Sequence, residues 1–171
     1  MAEPEAASTF LNVLEDRFDI WHVAFISEVD GHLTNSHVVE FGSHPFYRHH
    51  NVGSKPMGFL IHSDLFACVQ KVVWHGRAGA LHLFQRPKSD SCGLNMVIFG
   101  IYGNHGDQLG QSLADLSWLS RKFPRNVKRI FLGDWNVDQL PTFQSDPFCH
   151  LPNRSNHHFE RRCLLAAWAE S

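Results

Sequence analysis

Three oxygen-bearing side chains stand where a rigid sheet could present them to a ligand. Gly133-Asp134-Trp135-Asn136 follows the run Arg129-Ile130-Phe131-Leu132, and Glu28 follows another, Ile20-Trp21-His22-Val23-Ala24-Phe25-Ile26. Strand side chains alternate with period two, so Asp134 and Asn136 leave the strand on the same side. Such a pair can hold a hard cation or a phosphate, and Glu28 adds a second carboxylate from a distant strand end. Mg²⁺ (or Mn²⁺) suits this set: it prefers oxygen ligands and takes only one or two carboxylates beside water and substrate phosphate. It also offsets the charge that develops as a phosphoester bond breaks. The bland alternative is that Asp134 and Asn136 form a turn behind the strand while Glu28 faces solvent.

The elements that would position these groups can be read from periodicity. Phe10, Leu11, Leu14 and Phe18 behind Ser8 and Thr9 predict a helix to about Arg17. It delivers the chain into the strand before Glu28, after which Asp30-Gly31 signals a turn. Short apolar runs at 38–41, 57–61, 68–74, 79–84 and 96–102 predict strands. The last is apolar enough to be buried on both faces. Leu109, Leu113, Leu116, Leu119 and Phe123 predict an amphipathic helix over 107–122, with Asp107 as N-cap and Pro124 as its stop. The strand 129–132 follows, then a last helical stretch over about 155–169. Many strands with a few covering helices imply a layered α/β sandwich.

With 171 residues, 43% of them hydrophobic, the chain is expected to be one domain, with its core over about 8–170 and its 14 Phe and 5 Trp as packing material. A net charge of −2 excludes a globally basic protein, so any nucleic-acid contact must come from a local patch. Thirteen His make that balance pH-sensitive. Cys68, Cys92, Cys149 and Cys163 contain no Cys-x-x-Cys pair, which argues against a zinc ribbon or a disulfide scaffold. The start of the chain lacks a basic region followed by an apolar core, and no apolar stretch approaches the ~18 residues of a membrane span. A soluble intracellular protein, cytoplasmic or nuclear, with reduced thiols and no membrane partner is expected. The sequon Asn153-Arg154-Ser155 is then idle.

The local patch best suited to nucleic acid is the segment 44–55, His-Pro-Phe-Tyr-Arg-His-His-Asn-Val-Gly-Ser-Lys. Read as a loop, it would offer Arg48, His49 and Lys55 to phosphates and its aromatics to bases. Arg77 is a further phosphate candidate. A solvated loop and an Arg paired with an acidic neighbour are the plainer readings.

In this order the motifs resemble the endonuclease/exonuclease/phosphatase superfamily, which includes apurinic endonucleases, DNase I-like nucleases, inositol polyphosphate phosphatases and retrotransposon endonuclease domains. The similarity rests on Ile26-Ser27-Glu28, on Met57-Gly58-Phe59-Leu60-Ile61-His62-Ser63-Asp64-Leu65, on Ile98-Phe99-Gly100-Ile101-Tyr102, and on a helix leading to Gly133-Asp134-Trp135-Asn136. It covers roughly 20–170 and is nearest to the retrotransposon type. The resemblance implies a DNase I-like four-layer α/β sandwich, two packed mixed β-sheets covered by helices. It implies a Mg-dependent hydrolase that cleaves DNA phosphodiester bonds. Glu28 would bind the metal, Tyr102 would approach the scissile phosphate, Asp134 would orient or deprotonate the attacking water, and Asn136 would hydrogen-bond a phosphate oxygen.

Two family features are missing. The helix at the start replaces a first strand carrying Asn, and no Asp-His dipeptide occurs in the sequence to supply the family's final motif. His150, His157 and His158 lie downstream of Asn136, in loop or helix-start context. The sandwich is therefore expected to be incomplete, truncated at both ends. A catalytically inactive remnant that binds nucleic acid is the alternative, and a phosphoinositide or small-molecule phosphatase of the same superfamily is a third.

Overall fold

The computed structural model describes residues 11–16, 21–27, 38–49, 56–87, 93–103 and 109–134. Residues 11–16 are helical and belong to α1. The strands are β1 (Val23–Ile26), β2 (Val38–Phe41), β3 (His44–His49) and β4 (Met57–Ile61), then, after a 3₁₀ helix (Ser63–Cys68), β5 (Val69–His75), β6 (Ala78–Gln85) and β7 (Leu94–Tyr102). Helix α2 (Leu109–Ser120) leads to β8 (Lys128–Asp134). The predicted helix over 155–169, the Asp107 cap and the Asp30-Gly31 turn lie outside the described residues, as do Glu28, Lys55 and Asn136.

Two four-stranded sheets result, sheet A in the order β1-β4-β3-β2 and sheet B in the order β5-β6-β7-β8. Sheet A is antiparallel throughout, whereas sheet B ends in a parallel β7–β8 pair. A parallel neighbour cannot be reached by a tight hairpin, and the connection between β7 and β8 contains α2. The chain is thus of α/β class, rich in strand, with one purely antiparallel and one mixed sheet.

Alternation explains how the layers stack. On β4, Phe59 and Ile61 point toward sheet B, where they pack with Leu81, Leu83 and Ile98; Leu60, between them, points away and packs with Phe46 and Leu11 of α1. On sheet B the odd residues Val97, Phe99 and Ile101 face α2 and the turn after it, meeting Leu116, Leu119, Phe123 and Val127. The even residue Ile98 faces sheet A. Strand β7 is therefore buried on both faces from Val97 to Tyr102, as its apolar run predicted. Burying a side chain such as Phe59, Phe99 or Leu81 stabilises the fold by about 1.5–3 kcal/mol each; all three are fully buried. No helix among the described residues is long and apolar enough to cross a membrane.

One expectation is corrected. The stretch beginning at His44, read as an open loop, contains β3, an interior strand of sheet A. Pro45 is tolerated there because the β3–β4 ladder begins only at Phe46, opposite Leu60, so Pro45 stands outside it. His44 and Arg48 are buried, at 6% and 8% exposure.

Candidate active site

The described ends of several strands converge at one mouth of the sandwich. Tyr102 and Asp134 are register partners on the parallel strands β7 and β8. In-register neighbours point to the same side of a sheet, and here that side faces sheet A, as Leu132 does two residues before Asp134. Phe25, near the end of β1, lies against Gly100, near the end of β7. Strand β1 thus ends at the same mouth, two residues short of Glu28.

Backbone constraints hold this corner. The Gly103 N–H donates to the Asp134 carbonyl at 2.6 Å, and the Tyr102 N–H donates to the Arg77 carbonyl at 3.1 Å. Gly133 adopts φ +134°, and a Cβ there would run into the Ile101 carbonyl. The glycine of the Gly133-Asp134 pair is therefore a packing requirement of the β7–β8 ladder as well as a motif letter.

Arg77 lies in the two-residue turn between β5 and β6, and its guanidinium carbon sits 4.0 Å from the centroid of the Tyr102 ring. A planar cation over an aromatic face is attracted by the ring quadrupole, which gives Arg77 a defined position. Tyr102 is buried at 5% exposure, while Asp134 is exposed. The corner therefore combines a hydroxyl-bearing ring, a fixed cation and an accessible carboxylate. Together these can bind a phosphate and orient a water molecule beside it.

Asp115 is the residue that the sequence reading missed. It is buried at 5% exposure within the apolar stripe of α2 and reaches back to the β5–β6 turn. Its Oδ2 accepts from the Arg77 N–H at 3.5 Å, its Oδ1 accepts from Gln111 Nε2 at 3.0 Å, and His75 Nε2 lies 3.6 Å from Oδ1. Gly76, at φ +55°, is where a Cβ would collide with the Asp115 carboxylate. The signal was present in the sequence: an Asp one residue before Leu116, on the face that should be apolar.

The other nucleic-acid candidates divide. His49 faces the inter-sheet space, its ring stacked 5.0 Å from Trp74, whose own ring stacks on Phe59. Arg48 shares the parity of Phe46 and is buried on the opposite face of sheet A, away from Tyr102 and Asp134. A loop contact with DNA through Arg48 does not fit that placement. Arg77 is the one of the four that adjoins Tyr102 in the described structure.

Among the described residues no group of three or more His, Cys, Asp or Glu side chains could hold a metal ion. Asp134 alone represents the expected oxygen set there, since Glu28 and Asn136 lie outside the described residues. One accessible carboxylate at a strand end is compatible with a largely hydrated Mg²⁺, which needs only one or two. Comparison with protein-family models, with curated proteins and with solved structures finds no match for this chain.

Proposed function

We propose that the chain is a metal-dependent phosphodiesterase domain of the endonuclease/exonuclease/phosphatase kind, with a DNase I-like sandwich and DNA as substrate. The observation that carries this reading is the in-register pairing of Tyr102 with Asp134, with the Arg77 guanidinium over the Tyr102 ring. In the proposed site Asp134 orients the attacking water, and Tyr102 and Arg77 face the scissile phosphate. Asn136 donates to a phosphate oxygen and Glu28 holds Mg²⁺ or Mn²⁺. The metal, when bound, neutralises charge on the phosphate and the leaving oxygen.

The test is nicking of supercoiled plasmid by the purified chain in Mg²⁺, beside Asp134→Ala and an EDTA control. Nicking that disappears in both controls is expected. Blank lanes for the unaltered chain would instead leave the non-catalytic remnant, which the missing Asp-His motif favours. Phosphate release from inositol phosphates or phosphoinositides without plasmid nicking would move the substrate to the phosphatase branch.

A further inference from the structure

The basic residues of this chain are unevenly placed, and the unevenness points to a surface remote from Asp134. Residues 69–134 hold nine Lys/Arg against four Asp/Glu, a balance of +5 in a protein whose net charge is −2. Five of the nine fall within 121–129, and no Asp or Glu occurs between Asp115 and Asp134. In the structure Arg121, Lys122, Arg125 and Lys128 are all exposed on the turn from α2 into β8. Lys71 of β5 joins them, its ammonium 4.9 Å from the centroid of the Phe123 ring.

The turn is held rigidly. The Arg129 guanidinium donates to Ser120 Oγ and to the carbonyls of Phe123 and Pro124, the last at 3.1 Å. Phe123 and Val127, both buried, anchor it to sheet B. Cations after a helix C-terminus complement the helix dipole, which accounts for Arg121 and Lys122. It accounts for neither Arg125 nor Lys128 nor Lys71, which lie beyond the last turn of α2.

We propose that this turn is a docking surface for the phosphate backbone of a nucleic acid. The cations come from a helix end, a turn and two strands, so they form a stripe suited to a linear polyanion and not a pocket for a single anion. A lipid surface fits less well. The two rings within the patch are roofed, Phe123 by Lys71 and Trp118 by Lys122 at 4.2 Å, and the exposed Ile130 and Phe131 lie on β8 beyond it, not among the cations of the turn. Strand β8 runs from Lys128 to Asp134 over about 20 Å at ~3.3 Å per residue, so the stripe lies at the opposite end of sheet B from the mouth. It therefore rests on neither Asp134 nor metal, and binding survives even if the hydrolytic reading fails.

The experiment measures binding of a fluorescein-labelled 20-mer DNA duplex and of the corresponding RNA duplex by anisotropy, across a salt series. The unaltered chain, the triple variant Arg121→Gln/Arg125→Gln/Lys128→Gln, and Val38→Thr are compared, with circular dichroism melts to confirm folding. Losing three phosphate contacts should flatten the slope of log K against log salt by about 2.7 and weaken binding about a hundredfold near 0.15 M salt. Val38→Thr, an exposed position on β2 of sheet A, should bind as the unaltered chain does. A folded triple variant with an unchanged slope overturns the proposal. So does an unaltered chain that ignores both duplexes, whether or not it binds vesicles containing phosphatidylserine.

Discussion

The two stretches of chain that carry sheet A and sheet B have opposite charge balances and settle their polar groups differently. Residues 1–68, which include all of sheet A, hold nine Asp/Glu against three Lys/Arg, −6, and seven of the thirteen His. Residues 69–134, which include all of sheet B, stand at +5 with three His. In sheet A the buried polar side chains are His44 and Arg48, and the His44 ring lies 4.8 Å from the half-buried His62 and edge-on to Trp21 at 4.9 Å. Against sheet B, helix α2 buries Ser112 and a carboxylate, Asp115, that accepts from backbone and side-chain donors around the Arg77 turn. Imidazole is the side chain whose ordinary charge change falls between about pH 5 and 8. Mild acid therefore acts on the two layers unequally. With seven His against three, it adds more positive charge to residues 1–68 than to residues 69–134.

The largest difference should appear in packing. Phe99 is fully buried between sheet B and α2, edge-on to Phe123 and stacked on Phe131 at 4.9 Å. Leu11, at 8% exposure, is the main anchor of the described part of α1 on sheet A. Phe99→Ala should cost about 3–5 kcal/mol, the range for a large aromatic removed from a packed core. Leu11→Ala should cost less, near the lower end of the ~2–5 kcal/mol seen for buried leucines, because Leu11 keeps 8% exposure where Phe99 has none. Urea denaturation of both variants compares the layers directly, and equal losses would erase the contrast in bracing.

The elements that the sequence made plain are those whose neighbours are all apolar. Strand β7 and helix α2 were readable because one is apolar on both faces and the other has Leu113, Leu116 and Leu119 along one stripe. Strand β3 was not. His44-Pro45-Phe46-Tyr47-Arg48-His49 carries a proline and three basic residues, the composition of a loop. Its burial depends on partners distant in sequence: Ser63 donates to His44 Nδ1 at 3.1 Å, and Trp74 stacks on His49. For the candidate site, the order of Tyr102 and Asp134 was legible from strand ends, but their register was not, since it is set by the crossover through α2. The placement of Arg77 over Tyr102 needed the hairpin turn and Asp115.

A middle-sized effect should follow from that carboxylate. Asp115→Ala removes the carboxylate that accepts from the Arg77 N–H and from Gln111 Nε2, two part-buried hydrogen bonds worth about 0.5–1.5 kcal/mol each. If Asp115 positions Arg77 through the turn, the variant should also raise KM for plasmid nicking more than it lowers kcat, while binding through the α2–β8 turn is preserved. A purely structural role would lower the melting temperature with both kinetic constants unchanged in the folded fraction.

The smallest effect should be the pH response of sheet A, and its sign follows from geometry. His44 Nδ1 accepts the Ser63 N–H, so the neutral ring carries its proton on Nε2, toward Glu15 Oε1 at 3.9 Å. Protonation puts a second N–H on Nδ1, facing the Ser63 donor, and removes that acceptor. Burial first, and then the neighbouring His62, hold the His44 pKa below its usual value, outweighing Glu15 and Asp64, which raise it. A histidine that binds its proton more weakly when folded adds stability that is complete above the ordinary pKa of 6.5. That stability is lost as pH falls through 6.5 toward the lowered folded value. Urea midpoints taken from pH 7.5 to 5 should therefore decline, and His44→Gln should flatten the decline. Glu15→Gln should steepen it, because the carboxylate that favours the charged ring is gone. If His44→Gln and the unaltered chain decline in parallel, the low-pH weakness lies elsewhere and the two sheets do not differ in the way their polar groups imply.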